Sequence, residues 1–446
     1  MATVSALPPG PRWPTPLTTL GWMTRPFPYL ERCRERYGDT FTLRIAREAP
    51  WVFVSHPDAV KQVFTGDPRL LHAGEANGIL RPILGHHSVL LLDDDRHLTQ
   101  RKLMLPAFHG ERMQRYGDLM TAIGEREVAS WPRGGDVELA PRMQALTLEV
   151  ILRAIFGVDE GERLHRLRAA LRTAMEVTTD PKTVAGLVLR GYERMERHPR
   201  LRAALDPVDA LLADEIHRRR AAADLDERDD ILSLLVQARH EDGSPMSDIE
   251  LRDELMTLLV AGHETTATGL AWALERLVRH PAALERLREE VLAGDEEYLD
   301  AVVKETLRLR PVLAIVLRKL MAPMEIAGHR LPAGVNVVPC IYLMHRREDI
   351  YPDARAFRPE RFLERPAGTY TWIPFGGGVR RCLGASFALF EMKTVLAAVV
   401  RGATLRPADP ASERTRRRAI THAPARGAQV TVAAQAPARP PVSQPA

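Results

Sequence analysis

Apolar residues recur at three- and four-residue intervals through most of the chain, which is the period of helices with one buried face. This pattern dominates from about residue 57 to residue 311, after a first predicted helix at Phe27–Tyr37. Runs of β-branched and aromatic residues predict short strands at Thr40–Ile45 and Trp51–Ser55, and strand signals return between Val316 and Cys340. We therefore predict a mainly α fold with a small β region made from sequence-distant segments.

The two ends of the chain differ from its middle in composition. Residues 1–25 are rich in proline, which predicts an extended strap on the surface, and residues 433–446 have the low complexity of a disordered tail. A last pair of weak strands is expected at Thr404–Arg406 and Gln429–Val432. Length alone would allow about three domains. Because no linker-like stretch interrupts the middle, we expect one large domain over residues 26–432.

Composition and charge argue against several classes of protein. The net charge of +4 comes from 62 basic and 58 acidic residues spread along the chain, a balance too mild for a nucleic-acid-binding protein. Cys33, Cys340 and Cys382 lie far apart, so neither a disulfide framework nor a zinc site is indicated and a reducing compartment is favoured. The N-terminus has neither a signal-peptide pattern nor an apolar run long enough for a membrane anchor. These features predict a cytoplasmic protein.

The strongest local signal is FGGGVRRCLG at residues 375–384, followed by a helical run over Ala385–Val400. Three consecutive glycines allow a tight turn and a close approach to a flat partner. Cys382 precedes a helix, where free N–H groups and the helix dipole favour a thiolate. Such a thiolate suits an axial ligand of haem iron, and Arg380 could reach a haem propionate. On spacing alone, a buried structural thiol is an equally good interpretation, whereas no phosphate-loop spelling is present.

A single long helix is predicted from Ser247 to Arg279, with the capping box SDIE at its start and His-Pro directly after it. Its length of about 32 residues corresponds to roughly 48 Å. The apolar middle, Leu258–Leu270, contains the polar run His263–Thr266 next to Gly262. Buried polar groups are costly unless they find partners. Either the helix exposes one polar edge, or it opens a groove beside a ligand and places an acid and an alcohol there to relay protons.

Both segments resemble motifs of the cytochrome P450 family. FGGGVRRCLG matches the haem-binding pattern F-x-x-G-x-R-x-C-x-G at its five fixed positions, which are Phe375, Gly378, Arg380, Cys382 and Gly384. AGHETT at 261–266 resembles the oxygen-activating motif A-G-x-[DE]-T-[TS]. The resemblance covers nearly the whole chain in the order of the family. It implies the P450 fold, a single large domain with a long central helix over haem b, and Cys382 as the ligand of the iron.

The resemblance also implies roles for residues outside the cysteine loop. Glu264 and Thr265 would form the acid–alcohol pair that brings protons to the oxygen chemistry. KETLRLRP at 304–311 and FRPERF at 357–362 resemble the family's ExxR and PERF segments, which implies a structural triad of Glu305, Arg308 and Arg361. The expected contacts to the haem propionates are His97 and Arg101 in HLTQR, Arg318, and Arg380.

A family member of this kind is a monooxygenase that inserts one oxygen atom from O2 into a hydrophobic substrate. By position, the pocket walls would include Val260, Ala261, Val312 and Val316, parts of Leu71–Leu92, and His422. These residues are largely apolar, which favours a fatty acid and a terpenoid or polyketide scaffold equally.

The electrons would come from separate partners, a ferredoxin or flavodoxin with its reductase, because no flavin or iron–sulfur signature is present. A monomer is expected. The candidate docking patch for an acidic electron carrier consists of Arg112, Arg115, Arg380 and Arg381.

Three other functions can be weighed against this one. A peroxide-driven haem-thiolate enzyme is the alternative, but such branches usually lack the acid–alcohol pair seen at Glu264 and Thr265. A haem sensor or carrier would be distinguished by the absence of substrate-dependent reductant consumption. A nicotinamide-binding fold needs a strand that leads into its glycine loop, and Pro374 interrupts the approach to Gly376.

Overall fold

The computed structural model describes residues 7–108, 112–157 and 161–434. In chain order the helices are α1 (Thr15–Thr24), α2 (Pro26–Tyr37), α3 (Pro57–Thr65), α4 (Ala73–Ala76), α5 (Arg81–Leu84), α6 (Asp94–Met104), α7 (Arg112–Ala129), α8 (Leu139–Phe156), α9 (Glu162–Thr179), α10 (Pro181–Arg190), α11 (Tyr192–Met195), α12 (Pro199–Arg220), α13 (Ile231–Gln237), α14 (Asp248–Val278), α15 (Pro281–Ala293), α16 (Glu297–Leu309), α17 (Ile341–Met344), α18 (Arg361–Glu364) and α19 (Ala385–Gly402). The strands are β1 (Thr40–Leu43), β2 (Trp51–Val54), β3 (Leu71–His72), β4 (Asp136–Glu138), β5 (Arg318–Leu320), β6 (Met324–Ile326), β7 (His329–Leu331), β8 (Asn336–Pro339), β9 (Leu405–Pro407), β10 (Thr415–Arg418), β11 (Thr421–Pro424) and β12 (Gln429–Val432). The predicted mainly α architecture with a small β region is confirmed.

Helix α14 crosses the core and has the ends that the sequence predicts. The Ser247 hydroxyl accepts a hydrogen bond from the Glu250 N–H at 3.2 Å, and the Ser247 N–H donates to the Glu250 carboxylate at 2.7 Å. This reciprocal capping box satisfies N–H groups that have no partner inside the helix. The helix packs against α8, α12 and α19, and its apolar side chains belong to the largest buried cluster. Most of its length is therefore buried in the protein, and the turn around Ala261 is the more accessible part.

The main sheet has the strand order β1-β2-β8-β5-β3, in which β2 and β8 run parallel and the other pairs run antiparallel. It brings Arg318, the first residue of β5, next to Val337 of β8. The strands β3, β4 and the hairpin β10–β11 were not predicted, because each is short and lacks an alternating pattern. Such strands form through pairing with their neighbours rather than through intrinsic preference.

The N-terminal segment is only partly extended. Residues 7–14 have no regular structure, but Thr15–Thr24 form helix α1, so the expected extended strap is wrong for that stretch. Prolines at the start of α1 are compatible with a helix because the first turn needs no N–H donor. Trp22 of α1 is buried and packs edge-on against Trp51 of β2, with 5.7 Å between ring centroids. This contact fixes the helix on the sheet.

Within the described residues, no helix has the length and apolar character needed to cross a membrane.

Candidate functional site

The cysteine loop passes very close to helix α3. Gly376 and Gly378 have φ angles of +67° and +66°, a conformation that side chains disfavour. A Cβ atom on Gly378 would lie 1.9 Å from the Phe64 carbonyl oxygen, and one on Gly377 would lie 2.2 Å from the Phe64 ring. The loop closes with a hydrogen bond from the Cys382 N–H to the Phe375 carbonyl at 2.9 Å. The consecutive glycines are therefore required by packing as well as by the turn.

Cys382 differs from the other two cysteines in its surroundings. Cys33 and Cys340 are buried, and burial raises the pKa of each thiol to about 12. Cys382 is accessible to solvent, although burial also raises the pKa of its thiol. Cys382 is therefore surrounded by protein on most sides and accessible on one side. A backbone hydrogen bond at Gly384 and the charges of Arg101 and Arg381 lower that pKa, so they favour the thiolate.

Four basic side chains from three segments converge near the cysteine loop. His97 and Arg101 come from α6, Arg318 from β5, and Arg380 from the short 3₁₀ turn before Cys382. Burial, together with the positive charges of the three arginines, lowers the pKa of His97 to about 3. At neutral pH His97 is therefore uncharged and can still donate one hydrogen bond.

These cations are not fully compensated by the protein. Arg380 forms an ion pair with Asp93, and it also donates to the Leu92 carbonyl at 2.5 Å. For Arg318 the described residues provide the Leu317 carbonyl at 2.7 Å but no carboxylate contact. Burial lowers the pKa of both guanidinium groups to about 10. Buried positive charge of this kind needs an anionic partner, and the two propionates of haem b fit that need.

The polar centre of α14 is buried rather than exposed along one edge. His263, Glu264 and Thr266 are 4%, 7% and 4% exposed, which rules out the interpretation of a polar surface edge. The Thr265 hydroxyl donates to the Ala261 carbonyl at 2.7 Å, and the Thr266 hydroxyl donates to the Gly262 carbonyl at 3.0 Å. Such bonds across one turn loosen a helix locally. Ala261 is exposed and Thr265 is partly exposed, so this turn borders open space.

Glu264 is held by the hairpin β10–β11. The Arg418 Nε atom lies 3.5 Å from Glu264 Oε1, and the Thr421 hydroxyl lies 3.3 Å from the same oxygen. Burial raises the pKa of Glu264, while the charge of Arg418 and the hydrogen bond with Thr421 lower it. The sequence indicated neither partner: Arg418 lies in TRRR at 415–418, which has the composition of an ordinary charged surface strand, and Thr421 belongs to no recognisable motif.

A second buried acid lies near the same turn and was also missed. Glu391 of α19 is 1% exposed, and burial raises the pKa of its carboxyl group well above the ordinary value. Thr266 is its hydrogen-bond partner, while Oε1 has no partner within the described structure. The apolar run FALFEMKTVL gave no reason to single it out beyond being one acid in a helix.

The expected triad is formed in the core. Glu305 and Arg308 are fully buried, and the guanidinium donates to both carboxylate oxygens at 2.7 and 2.8 Å. Arg361 donates to the same carboxylate at 3.2 Å. Arg308 also donates to the carbonyls of His345 and Ala354, both at 2.8 Å. This network ties α16 to the segment before the cysteine loop.

The expected pocket residues have different environments. Ala261 is exposed, Val260 and Val316 are partly exposed, and Val312 is buried. Val316 lies 3.7 Å from the position of a Cβ on Gly376, beside the cysteine loop.

His422 is a less suitable wall of the pocket than the sequence suggested. It is 3% exposed, its ring lies 4.6 Å from that of Phe27, and its backbone N–H donates to the Val312 carbonyl at 2.9 Å. These contacts place it behind Val312. Within Leu71–Leu92, both terminal leucines belong to the core.

The expected docking patch needs a correction. Arg380 has only 9% of its side chain exposed and is engaged with Asp93, so it cannot present its charge to a protein partner. Arg381 is exposed. Arg115 is exposed but forms an ion pair with Asp229, and the side chain of Arg112 lies outside the described residues. Spacing along the chain did not distinguish an inward from an outward arginine.

Comparisons with known proteins agree with this geometry. The family model described as Cytochrome P450 matches residues 8–425. A Mycobacterium tuberculosis protein called cytochrome P450 135B1 is 44% identical over 434 residues, which cover 96% of this chain and 92% of the relative. Cytochrome P450 137 of the same species is 38% identical over 399 residues, covering 90% and 84% of the two chains.

Two solved structures have the same fold. The retinoic-acid-bound cyanobacterial CYP120A1 aligns with a TM-score of 0.83 at 24% identity, covering 97% of this chain and all of that one. The haem domain of cytochrome P450DA aligns with a TM-score of 0.81, also at 24% identity, over 96% and 98% of the two chains. The chain therefore belongs to the cytochrome P450 family and is a haem-b-containing monooxygenase.

Proposed function

We propose that this P450 oxidises an apolar substrate with dioxygen, and that Glu264 and Thr265 deliver the protons. The observation that carries the proposal is the buried acid on α14, directly before a threonine that borders open space. Haem b, when bound, supplies the oxygen chemistry itself. Peroxide-driven branches of the family usually lack this acid–alcohol pair, so its presence favours dioxygen as the oxidant.

The cofactor would be held by the residues that converge on the cysteine loop. Cys382 would bind the haem iron as a thiolate, because it is the accessible thiol and has cationic neighbours that favour this form. Arg101, Arg318 and Arg380 would neutralise the propionates, and neutral His97 would add a hydrogen bond. The glycines at 376–378 would let the loop backbone lie close to the ring.

The proton path would use two neighbouring side chains. Glu264 has a pKa raised by burial, so it retains a proton more readily than a surface glutamate does. The Thr265 hydroxyl can accept a hydrogen bond while it donates another, and its present acceptor is the Ala261 carbonyl. In this proposal Glu264 would supply the proton, and Thr265 Oγ1 would present it on the open side of the helix.

Replacement of Thr265 by alanine should separate electron use from product formation. Since a positioned proton donor contributes roughly 10²- to 10⁴-fold to a rate, we expect product formation to fall by about 10²-fold while NADPH oxidation continues. The measurement is the ratio of product formed to NADPH consumed. Thr265→Ser keeps the hydroxyl and should retain most of the coupling. An unchanged ratio in Thr265→Ala would contradict the assignment.

The substrate would be a fatty acid or a terpenoid or polyketide scaffold. The apolar side chains of Val260, Ala261, Val312 and Val316 favour such molecules, and they do not separate the two classes. Retinoic acid, which is bound in the cyanobacterial relative, combines an isoprenoid chain with a carboxylate and is a useful probe of both features. The first experiment is a titration of the ferric holoenzyme with both classes, with the spin-state shift of the haem spectrum as the readout.

The electrons would come from a separate ferredoxin or flavodoxin with its reductase. Arg381, which is exposed next to Cys382, is a suitable contact for an acidic carrier. The best-binding substrate should be turned over with each carrier and, in parallel, with hydrogen peroxide alone. Product from peroxide at the rate of the reconstituted system would favour the peroxide-driven alternative.

A further inference from the structure

The tip of the hairpin β10–β11 makes two contacts to one carboxylate oxygen. Arg418 and Thr421 are the last register pair of the hairpin and flank its turn, in which Ala419 has a φ angle of +51°. Arg418 Nε and Thr421 Oγ1 lie 3.5 and 3.3 Å from Glu264 Oε1. Because Arg418 and Thr421 flank the same turn and contact the same oxygen, a movement of the tip would change both contacts together.

Both contacts favour the ionised form of Glu264. The Thr421 hydroxyl donates to Glu264 Oε1 at 3.3 Å, and it also lies 2.8 Å from the Arg418 carbonyl. Arg418 and this hydroxyl each lower the pKa of Glu264, which burial raises. The hairpin tip therefore opposes the effect of burial on this acid.

Arg418 is more accessible to solvent than the acid that it contacts. The Arg418 side chain is 26% exposed, whereas that of Glu264 is 9% exposed. The neighbouring residue on the strand, Arg417, donates to the Trp22 carbonyl at 3.3 Å and lies 4.9 Å from the Trp22 ring centroid. Helix α1 therefore helps to fix the hairpin whose tip contacts α14.

We propose that Arg418 is a positioning residue for proton delivery: from the hairpin tip it holds Glu264 and sets the pH range in which that acid works. The inference rests on the proposed role of Glu264. Other groups near this part of α14 are neutral or face elsewhere: His263 is uncharged at neutral pH, Thr147 of α8 donates to the His263 carbonyl, and Glu391 of α19 contacts Thr266. Among the described residues, Arg418 is the cation that acts on Glu264.

The test uses the reconstituted holoenzyme with Arg418→Gln and Arg418→Lys. Coupling should be lost as pH rises through the pKa of Glu264, because a proton donor must be protonated. Loss of the Arg418 charge raises that pKa, so the coupling midpoint of Arg418→Gln should shift to higher pH, and its maximal product-to-NADPH ratio should fall several-fold. Arg418→Lys keeps the charge and should stay close to the parent midpoint.

Arg416→Gln is the matched control, since Arg416 lies on the same strand with an exposed side chain. It removes the same charge and should leave the midpoint unchanged. Equal haem content and melting temperature in all variants would exclude a folding effect. A midpoint in Arg418→Gln equal to that of Arg416→Gln would overturn the inference.

Glu264→Gln separates the inference from the proposed function. If Glu264→Gln remains fully coupled, the proposed role of the acid is wrong, and the inference is overturned with it. If it is uncoupled while Arg418→Gln behaves like the parent, the role of the acid stands and only the inference is overturned. If the acid and Arg418 both have the proposed roles, the variant that combines Glu264→Gln with Arg418→Gln should be no more uncoupled than Glu264→Gln alone. A further loss of coupling would show that Arg418 acts elsewhere.

Discussion

Replacement of Cys382 by serine should yield a protein that keeps its fold but has no measurable monooxygenase activity. A serine hydroxyl ionises only at far higher pH than a thiol, and its oxygen cannot replace the thiolate that donates electron density to iron. The ferrous carbonyl complex of the variant should lack the red-shifted band of a thiolate-ligated haem. Difference spectroscopy and product analysis measure the two effects.

The matched control is Cys340→Ser, because Cys340 is a buried cysteine with a thiol pKa raised to about 12. It should retain the red-shifted band, even if the protein becomes somewhat less stable. A normal band and full activity in Cys382→Ser would exclude Cys382 as the axial ligand, whatever the family resemblance implies.

Replacement of Glu305 by glutamine should destabilise the fold severely. The change leaves the guanidinium groups of Arg308 and Arg361 in the core without their shared carboxylate, and Arg308 is 0% exposed. Removal of one partner from a buried ion pair typically costs about 3–5 kcal/mol. We expect little soluble holoprotein and a clearly lower denaturant midpoint, measured by circular dichroism and haem absorbance.

Asp300→Asn offers a control on the same helix. Asp300 pairs with Lys304 at 2.5 Å, but the two side chains are 35% and 28% exposed. Such i,i+4 pairs contribute only about 0.3–0.5 kcal/mol. Similar midpoints for Glu305→Gln and Asp300→Asn would mean that the buried triad does not stabilise the protein as its geometry suggests.

Local signals were the reliable part of the sequence analysis. A short stretch of sequence was enough to predict three features: the capping box at Ser247, the glycines before Cys382 and the helical apolar pattern of α14. Each of them depends on residues that are neighbours in the chain. The helical conformation of Thr15–Thr24 was missed because proline content was taken as evidence for extended backbone, although proline is acceptable in a first turn.

Some contacts between distant segments were predicted from the family resemblance, and the others were not predicted. Arg380 and Arg381 are adjacent and chemically identical, yet one is paired with Asp93 inside the protein and the other is exposed. The contact of Arg418 with Glu264 joins an unremarkable charged strand to the central helix. No periodicity records such a pairing, because it is decided by how the hairpin packs.

The close approach of the cysteine loop to Phe64 has a consequence for biosynthesis. Phe64 is synthesised long before residues 375–384, so this contact cannot form until both segments have been made. Binding of haem must then follow synthesis of the loop, and long-range closure of this kind is a slow step in folding. A nascent chain that has not reached the loop has an incomplete site for the cofactor.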